Sequence, residues 1–220
     1  MAGERACPLH GTKIGIAIPL YDDPNIVNCL SVLMREVNAL SDCDFKIVVA
    51  DSSPHPIDYS KYDVFQDKRV KVIQFPGTIG EARDRAVSAL DDREVVMNID
   101  SDCIPMPNWI AGYLELLKKY DVVYGVYHTK GHWLSNMLIS LGTAPLGGNM
   151  AYKRIVWEKV GGFKLPRYED TMFLKKARGA GFSFHFEPKI SVNHLRPHGL
   201  WRTIKDDLIK GGLVWILSKI

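Results

Sequence analysis

The stretch VVMNIDSDCIP, residues 95–105, reads as a buried strand that ends in two carboxylates. Its apolar residues run up to Ile99, and Asp100 and Asp102 then follow with one serine between them. Two ionised carboxylates beside a core strand are costly unless something offsets their charge. A hard divalent cation, Mg²⁺ or Mn²⁺, would do so, because such ions prefer carboxylate oxygens. The alternative is that the two aspartates only form turns and cap the segment that leads to Trp109.

Strand-like and helix-like segments alternate on both sides of this stretch. Apolar runs predict further strands in KIGIAIPLY (13–21), FKIVVADSS (45–53), VKVIQFPGTIG (70–80) and DVVYGVYH (121–128). Helical spacing of apolar residues predicts helices in 22–40, 79–90 and 107–120. Alternating strands and helices predict an α/β fold with a central, mostly parallel sheet flanked by helices.

The helical segments each carry one apolar face, which predicts the residues that turn towards the sheet. In the first helix these are Ile26, Leu30, Leu33, Val37 and Leu40, and in the second they are Ile79, Ala82, Ala86 and Leu90. After residue 127 the regular alternation of strands and helices stops, but the remaining segments read as an extension of the same sheet.

Polar residues follow several of these strands where each strand ends. Asp51, Asp100 and the turn at residues 76–80 all lie at predicted carboxyl ends. Ligands of open α/β sheets collect in the crevice outside the carboxyl ends of the strands. We therefore expect these residues to converge on one site although they are distant in sequence.

Composition limits the class of protein. The chain has 220 residues, 46% hydrophobic and 24% charged, which suits a single folded domain. A formal charge of +3, without basic runs that alternate with aromatics, argues against a nucleic-acid partner. No apolar run reaches the roughly 20 residues needed to cross a bilayer, and the first twelve residues lack the apolar segment of a signal peptide. We expect a cytoplasmic protein.

Four cysteines, Cys7, Cys29, Cys43 and Cys103, are widely spaced and form no C-x-x-C motif. The spacing argues against a zinc knuckle or a redox pair. Reduced thiols are expected, and a bridge between Cys29 and Cys43 stays open as an alternative.

Several motifs occur together in a particular order. They are IAIPLYDD (16–23), VVADSS (48–53), GTIGEARDRAV (77–87), NIDSDCIP (98–105), GGNMAYKR with VGGF (147–163) and YEDTMFLKKARGAGF (168–182). In this order they resemble family 2 glycosyltransferases of the GT-A fold, from about residue 13 to 188. The resemblance implies one domain over 1–220, with a nucleotide-binding half at 13–127, an acceptor and catalytic half at 128–199 and an amphipathic segment at 200–220.

The resemblance also implies a function and roles for particular residues. It implies an inverting enzyme that uses a UDP- or GDP-sugar, a divalent metal (Mn²⁺ or Mg²⁺) and a saccharide or lipid-linked acceptor. Donor contacts would come from Pro19, Tyr21, Asp51, Arg83 and Asp100. Metal ligands would be Asp102, Asp100 and His194. Asp170 would be the catalytic base, with Glu169 beside the reacting sugars.

Each of these residues also has a plain structural interpretation. Asp170 is placed to cap a helix, and Asp51 followed by Ser-Ser-Pro is an ordinary turn former. Arg83 lies among charged residues that a solvated helix face would carry. Some GT-A enzymes complete the metal shell with a histidine after the last core strand; His194 and His198 are the two candidates, and either is otherwise a loop histidine.

Two segments bear on the acceptor. Residues 128–145, with His132 and Trp133, lie where this family receives sugars or lipids, although a tryptophan is equally a core residue. Residues 200–220 place Trp, Leu and Lys as in an interfacial segment, which predicts contact with the cytoplasmic face of a membrane; the alternative is a helix packed on the protein.

Two other functions remain as alternatives. A sugar-1-phosphate nucleotidyltransferase would need a Gly-rich basic loop after the first strand, where the sequence has IAIPLYDDPN. A sugar-nucleotide-binding module without turnover would have no use for Asp170.

Overall fold

The computed structural model describes residues 5–129, 147–163 and 169–195. The strands of this part are β1 (Arg5–Ala6), β2 (Lys13–Leu20), β3 (Leu40–Ser41), β4 (Asp44–Asp51), β5 (Val70–Gln74), β6 (Val95–Ile99), β7 (Cys103–Pro105), β8 (Val122–Thr129), β9 (Asn149–Lys153) and β10 (Phe184–His194). The helices are α1 (Ile26–Asn38), α2 (Ile79–Ser88), α3 (Trp109–Leu117), α4 (Arg154–Val160) and α5 (Glu169–Gly179), with short 3₁₀ turns at Tyr59–Lys61 and Asp63–Phe65.

Eight of the strands form one sheet in the order β5-β4-β2-β6-β9-β8-β10-β7. Strands β5, β4, β2 and β6 are parallel, as their alternation with helices predicts. Strand β9 lies antiparallel between β6 and β8, and β7 lies antiparallel to β10 at one edge. The strands after residue 127 thus extend the same sheet, and the carboxyl ends of β2, β4 and β6 lie along one side of it.

Helices cover both faces of the sheet, so alternate residues of the central strands enter two separate cores. Ile16 and Ile18 of β2 face the side covered by α1 and α3, whereas Ala17 between them faces α2, α4 and α5. This two-sided burial explains why the strands read as continuous apolar runs.

The predicted inward residues are confirmed with one exception. Ile26, Leu30, Leu33, Val37 and Leu40 are buried, as are Ala82, Ala86 and Leu90. Ile79 is 47% exposed, so its prediction is wrong. It is the first residue of α2, directly after the capping residue Thr78, and the buried residues of the helix begin with Gly80.

The cysteine prediction is also wrong in part. Cys7 and Cys43 form a disulfide, with their Cα atoms 5.5 Å apart. The parallel pairing of β1 with β3 brings these two segments together. Cys29 takes no part in a bridge, because it faces the core from α1 with its Sγ 3.8 Å from the carbonyl oxygen of Asp100.

In the described ranges, no helix is long and apolar enough to cross a membrane.

Candidate active site

A cluster of three possible metal ligands lies where β7 meets β10. Their register places His194 directly opposite Cys103, which brings the two side chains together. Nε2 of His194 lies 3.2 Å from Oδ2 of Asp102, the residue before Cys103. Ligand atoms of all three residues lie within 4.8 Å of one another. Carboxylate, imidazole and thiol are all metal ligands, so the cluster fits a divalent ion.

The thiol of Cys103 belongs to the buried side of this cluster. Burial, with the nearby carboxylates of Asp100 and Asp102, raises the pKa of Cys103 well above its usual value. Cys103 is therefore a neutral thiol in the metal-free protein.

The predicted donor residue Arg83 is buried between two carboxylates. It is 1% exposed, with Nη2 donating to Oδ1 of Asp100 at 2.8 Å and Nη1 donating to Oε1 of Glu169 at 2.5 Å. Asp100 follows β6, whereas Glu169 begins α5. The arginine therefore links the two halves of the site, and the interpretation of Arg83 as a solvated charge is wrong.

The charge of Arg83 is stabilised despite its burial. Burial by itself opposes the positive charge, but Asp100 and Glu169, helped by Asp170, raise the pKa of Arg83 overall. The guanidinium also lies over the ring of Phe163 at 5.4 Å from the ring centre.

Asp84, the neighbour of Arg83 on α2, holds the segment that carries this ring. Its Oδ1 accepts from the backbone N–H of Phe163 at 2.7 Å and from Nε1 of Trp157 at 2.8 Å. The motif EARDRA thus places Arg83 in the site, while Asp84 holds the segment whose Phe163 ring packs against Arg83.

Asp100 is held on both of its oxygens. Besides Arg83, the hydroxyl of Tyr127 donates to Oδ2 of Asp100 at 3.2 Å. Burial and the charge of Asp100 raise the pKa of Tyr127 well above its usual value, so the hydroxyl keeps its proton and donates. A Cβ at Gly148 would lie 2.1 Å from Cγ of Asp100, so a glycine is required there.

Asp170 lies in the first turn of α5, next to the glycine pair Gly147 and Gly148. Its Oδ2 accepts from the N–H of Gly147 at 2.8 Å, and its Oδ1 accepts from the N–H of Thr171 at 2.6 Å. A Cβ at Gly147 would lie 2.8 Å from Cβ of Asp170 and 2.9 Å from Nη1 of Arg83. Asp170 therefore has the helix-terminal contact that the structural interpretation predicts, and it also faces the Arg83 cluster.

A buried network anchors the chain that follows the glycine pair. Oδ1 of Asn149 accepts from Nε1 of Trp109 at 2.7 Å and from the hydroxyl of Tyr113 at 2.8 Å. Its Nδ2 donates to the carbonyl oxygen of Val126 at 2.9 Å. Helix α3 and strand β8 thereby set the position of residues 147 and 148.

Asp51 is fully buried and belongs to a different set of contacts. Its carboxylate accepts from the N–H and Oγ of Ser53 at 2.8 and 2.5 Å, from Nε2 of Gln74 at 3.1 Å and from the hydroxyl of Tyr59. Burial and Asp51 raise the pKa of Tyr59. The carboxylate is thus bound by four donors of the chain itself.

An open cavity lies beside Asp51, at the carboxyl ends of β2 and β4. It has a volume of about 200 Å³ and is lined by Leu20, Asp22, Asp23, Pro24, Ser53, His55 and Ile57. Of the other predicted donor residues, Pro19 is buried within β2, and Tyr21 follows the strand with 58% of its surface exposed.

Several residues that hold the site together carry no signal in the sequence. Tyr59, Gln74 and Tyr127 bind predicted residues, and Cys103 joins the metal ligands. Asn149 anchors the chain that follows Gly147 and Gly148. The glycine pair lay in a recognised motif, but its packing against Asp100 and Asp170 has no signal in the sequence. The predictions for His198, for His132 and Trp133 and for residues 200–220 lie outside the described residues.

Comparison with known proteins agrees with this architecture. The sequence model of glycosyl transferase family 2 matches residues 16–172, so the chain belongs to that family. No curated protein matches the chain in sequence.

Solved structures show the same fold. The mannosyltransferase PcManGT from Pyrobaculum calidifontis, in complex with GDP-Man and Mn²⁺, is 18% identical with a TM-score of 0.69, over 97% of this chain and 66% of that one. GalNAc-T7 with UDP, GalNAc and Mn²⁺ is 14% identical with a TM-score of 0.67, over 84% and 44%. A mycobacterial protein is 20% identical with a TM-score of 0.66, over 92% and 74%. The chain has the GT-A fold and spans less than two thirds of the length of the first two proteins.

Proposed function

We propose that the protein is an inverting glycosyltransferase that moves a sugar from a nucleoside-diphosphate sugar to an acceptor hydroxyl or phosphate. The observation that carries this proposal is the position of Arg83, which forms ion pairs with both Asp100 and Glu169. Asp100 lies two residues before the metal ligand Asp102, and Glu169 lies directly before the base Asp170. Membership of glycosyl transferase family 2 supports the class of reaction.

The metal of this reaction is Mn²⁺ or Mg²⁺. Asp102 and His194, with ligand atoms 3.2 Å apart, would hold it, and Asp100 would lie in its outer surroundings because Arg83 and Tyr127 already bind both of its oxygens. When bound, the ion stabilises the negative charge that develops on the leaving diphosphate. The Mn²⁺ in the mannosyltransferase and GalNAc-T7 structures supports this choice.

The donor nucleotide, a UDP- or GDP-sugar, would lie at the cavity beside β2 and β4. Tyr21 lies in sequence between the lining residues Leu20 and Asp22, and its exposed aromatic side chain would stack on the base, next to Pro19. A carboxylate has about four acceptor sites, and Asp51 already fills four. Asp51 can therefore bind the base only if one of its present partners is replaced.

Asp170 would be the base that takes the proton of the acceptor. Among the described residues, three donors use its oxygens, namely the N–H of Gly147 and the N–H and hydroxyl of Thr171, which fill three of about four acceptor sites. Glu169 is a poorer candidate, because it is 8% exposed and its Oε1 is bound to Arg83. Its role would be to position Asp170 through the ion pair.

The proposal is tested by incubating the protein with Mn²⁺ and a panel of UDP- and GDP-sugars, with saccharide and lipid-linked acceptors. A product whose anomeric configuration is opposite to that of the donor supports inversion. Binding of a donor without any hydrolysis or transfer would instead support a binding module.

Asp170→Asn tests the base in the same assay. Donor affinity should survive, while transfer falls by roughly 10²–10⁴-fold, the usual loss for a general base. Asp63→Asn, at an exposed aspartate in the first turn of a 3₁₀ segment, is the matched control and should retain parental transfer. Near-parental transfer by Asp170→Asn would assign the base elsewhere.

A further inference from the structure

The metal cluster contains a ligand that the proposed chemistry does not need. Mn²⁺ and Mg²⁺ are served by the carboxylate of Asp102 and the imidazole of His194, whereas thiols suit softer ions. Cys103 is nevertheless held in the same cluster, fully buried, by its pairing with His194 across β7 and β10.

We propose that Asp102, Cys103 and His194 together form a site for a thiophilic divalent ion such as Zn²⁺, which competes there with Mn²⁺. The proposal rests on the proposed function only in taking Asp102 and His194 as the shared ligands. A carboxylate, an imidazole and a thiolate are all zinc ligands, and three protein ligands leave the fourth position open.

The distances in the cluster agree with a tetrahedral zinc site. Zinc bonds of about 2.0–2.3 Å place tetrahedral ligand atoms about 3.3–3.7 Å apart. Sγ of Cys103 lies 3.7 Å from Oδ1 of Asp102, and Nε2 of His194 lies 3.2 Å from Oδ2 of the same carboxylate. The thiol and the imidazole contact different oxygens of the carboxylate, and the ligand atoms of all three residues lie within 4.8 Å of one another, so they would move closer together to enclose an ion.

The charges of the cluster also agree with a dication. On binding, the thiol releases its proton to solvent, and the thiolate and Asp102 together neutralise the two charges of the ion. Mn²⁺ gains less from the sulfur, because it lies at the weak end of the affinity order and prefers oxygen ligands. Cys103 would therefore raise the affinity for Zn²⁺ relative to Mn²⁺, while Asp102 and His194 would bind either ion.

Cadmium reports on this arrangement directly, because a Cd²⁺–thiolate bond gives a charge-transfer absorption in the ultraviolet. Metal-free protein is titrated with Cd²⁺ without thiol reductants, so that Cys7 and Cys43 stay bridged and Cys29 and Cys103 are the two free thiols. The parent and Cys29→Ser, the matched control with another buried cysteine, should both show the band. Cys103→Ser should lose it.

Calorimetry then measures the selectivity. In Cys103→Ser, affinity for Zn²⁺ should fall by about tenfold or more, while affinity for Mn²⁺ stays within about threefold of the parent. Cys103→Ala, with its fold checked by circular dichroism, is the second variant if the serine is not tolerated in the core, and the same losses are expected.

Two results would overturn the proposal: absence of the Cd²⁺ band in the parent, or a band that survives in both variants of Cys103. Neither measurement involves a sugar nucleotide. If the protein transferred no sugar but kept the band, the proposed function would fail and the zinc site would stand; transfer with Mn²⁺ in a parent that shows no band would have the opposite meaning.

Discussion

Asp51 and Arg83 are both buried charged residues of the candidate site, but they obtain their partners in different ways. Asp51 binds Ser53, Tyr59 and Gln74, which lie 2, 8 and 23 residues away in sequence. Arg83 binds Asp100 and Glu169, which lie 17 and 86 residues away. The Asp51 network is thus closed within the first half of the chain, whereas the Arg83 network exists only when both halves are folded.

The difference has consequences for stability and for function. Asp51 accepts from four donor groups, so loss of one of them, such as the Tyr59 hydroxyl, leaves three that still bind the carboxylate. Loss of Arg83 leaves two carboxylates facing each other without their cation, in a place that is largely removed from water. We therefore expect mutations in the Arg83 network to lower the free energy of unfolding more than mutations in the Asp51 network.

The largest effect is expected from Arg83→Met, which keeps a long apolar side chain but removes the cation. Breaking a buried ion pair by removing one partner costs about 3–5 kcal/mol, and the free energy of unfolding should fall by that amount in urea titrations. Arg85→Met, on the exposed side of the same helix, is the control and should change stability little. A loss below about 1 kcal/mol in Arg83→Met would contradict the central role of this residue.

Gly148→Ala should have the next largest effect, because it attacks the same network through packing. The new Cβ would lie 2.1 Å from Cγ of Asp100, so Asp100 must move away from Arg83 and Tyr127. Overpacking of this kind costs about 1–3 kcal/mol. Gly179→Ala has no neighbour within 4 Å of the added carbon and should be neutral or slightly stabilising. Equal stability of the two variants in urea would show that the glycine is not needed.

A smaller effect is expected in the Asp51 network from Tyr59→Phe, which removes one of its four donors. Loss of one hydrogen bond should lower the free energy of unfolding by about 1 kcal/mol, because Ser53 and Gln74 still bind the carboxylate. Tyr62→Phe, between the two 3₁₀ segments and 38% exposed, is the control. If Tyr59→Phe cost as much as Arg83→Met, the contrast between the two networks would be wrong.

The smallest effect concerns a local ion pair near the surface. Hydrogen bonds from Arg69 lower the pKa of Asp67 to about 2, from an ordinary value of 3.8. Because the pKa is lowered in the folded state, the stabilisation is present above pH 4 and is lost as the pH falls towards 2. Asp67→Asn should lower stability at neutral pH by less than about 1 kcal/mol, since the pair is partly solvated. It should also flatten the acid-induced loss of stability between pH 4 and 2; an unchanged acid profile would contradict this assignment.

The sequence predicted the parts of the fold that depend on local pattern. Apolar runs and helical spacing gave the strands β2, β4, β5, β6 and β8 and the helices α1 to α3, and strand ends gave the position of Asp51 and Asp100. Prediction failed where the environment of a residue depends on its place at the end of a helix, as for the exposed Ile79. It also failed where the partner is distant in sequence, as for the disulfide of Cys7 with Cys43.

By itself, then, the sequence determined the strand and helix pattern and the family, because burial on both faces of a parallel sheet imposes apolar runs and the motifs keep a set order. Only the tertiary structure decided how the charges are satisfied. It placed Arg83 between Asp100 and Glu169, closed Asp51 within its own network and set Cys103 opposite His194. The physical reason is that a buried charge can be stabilised by any suitable partner within about 4–6 Å, and which residues come that close depends on the register of strands far apart in the chain.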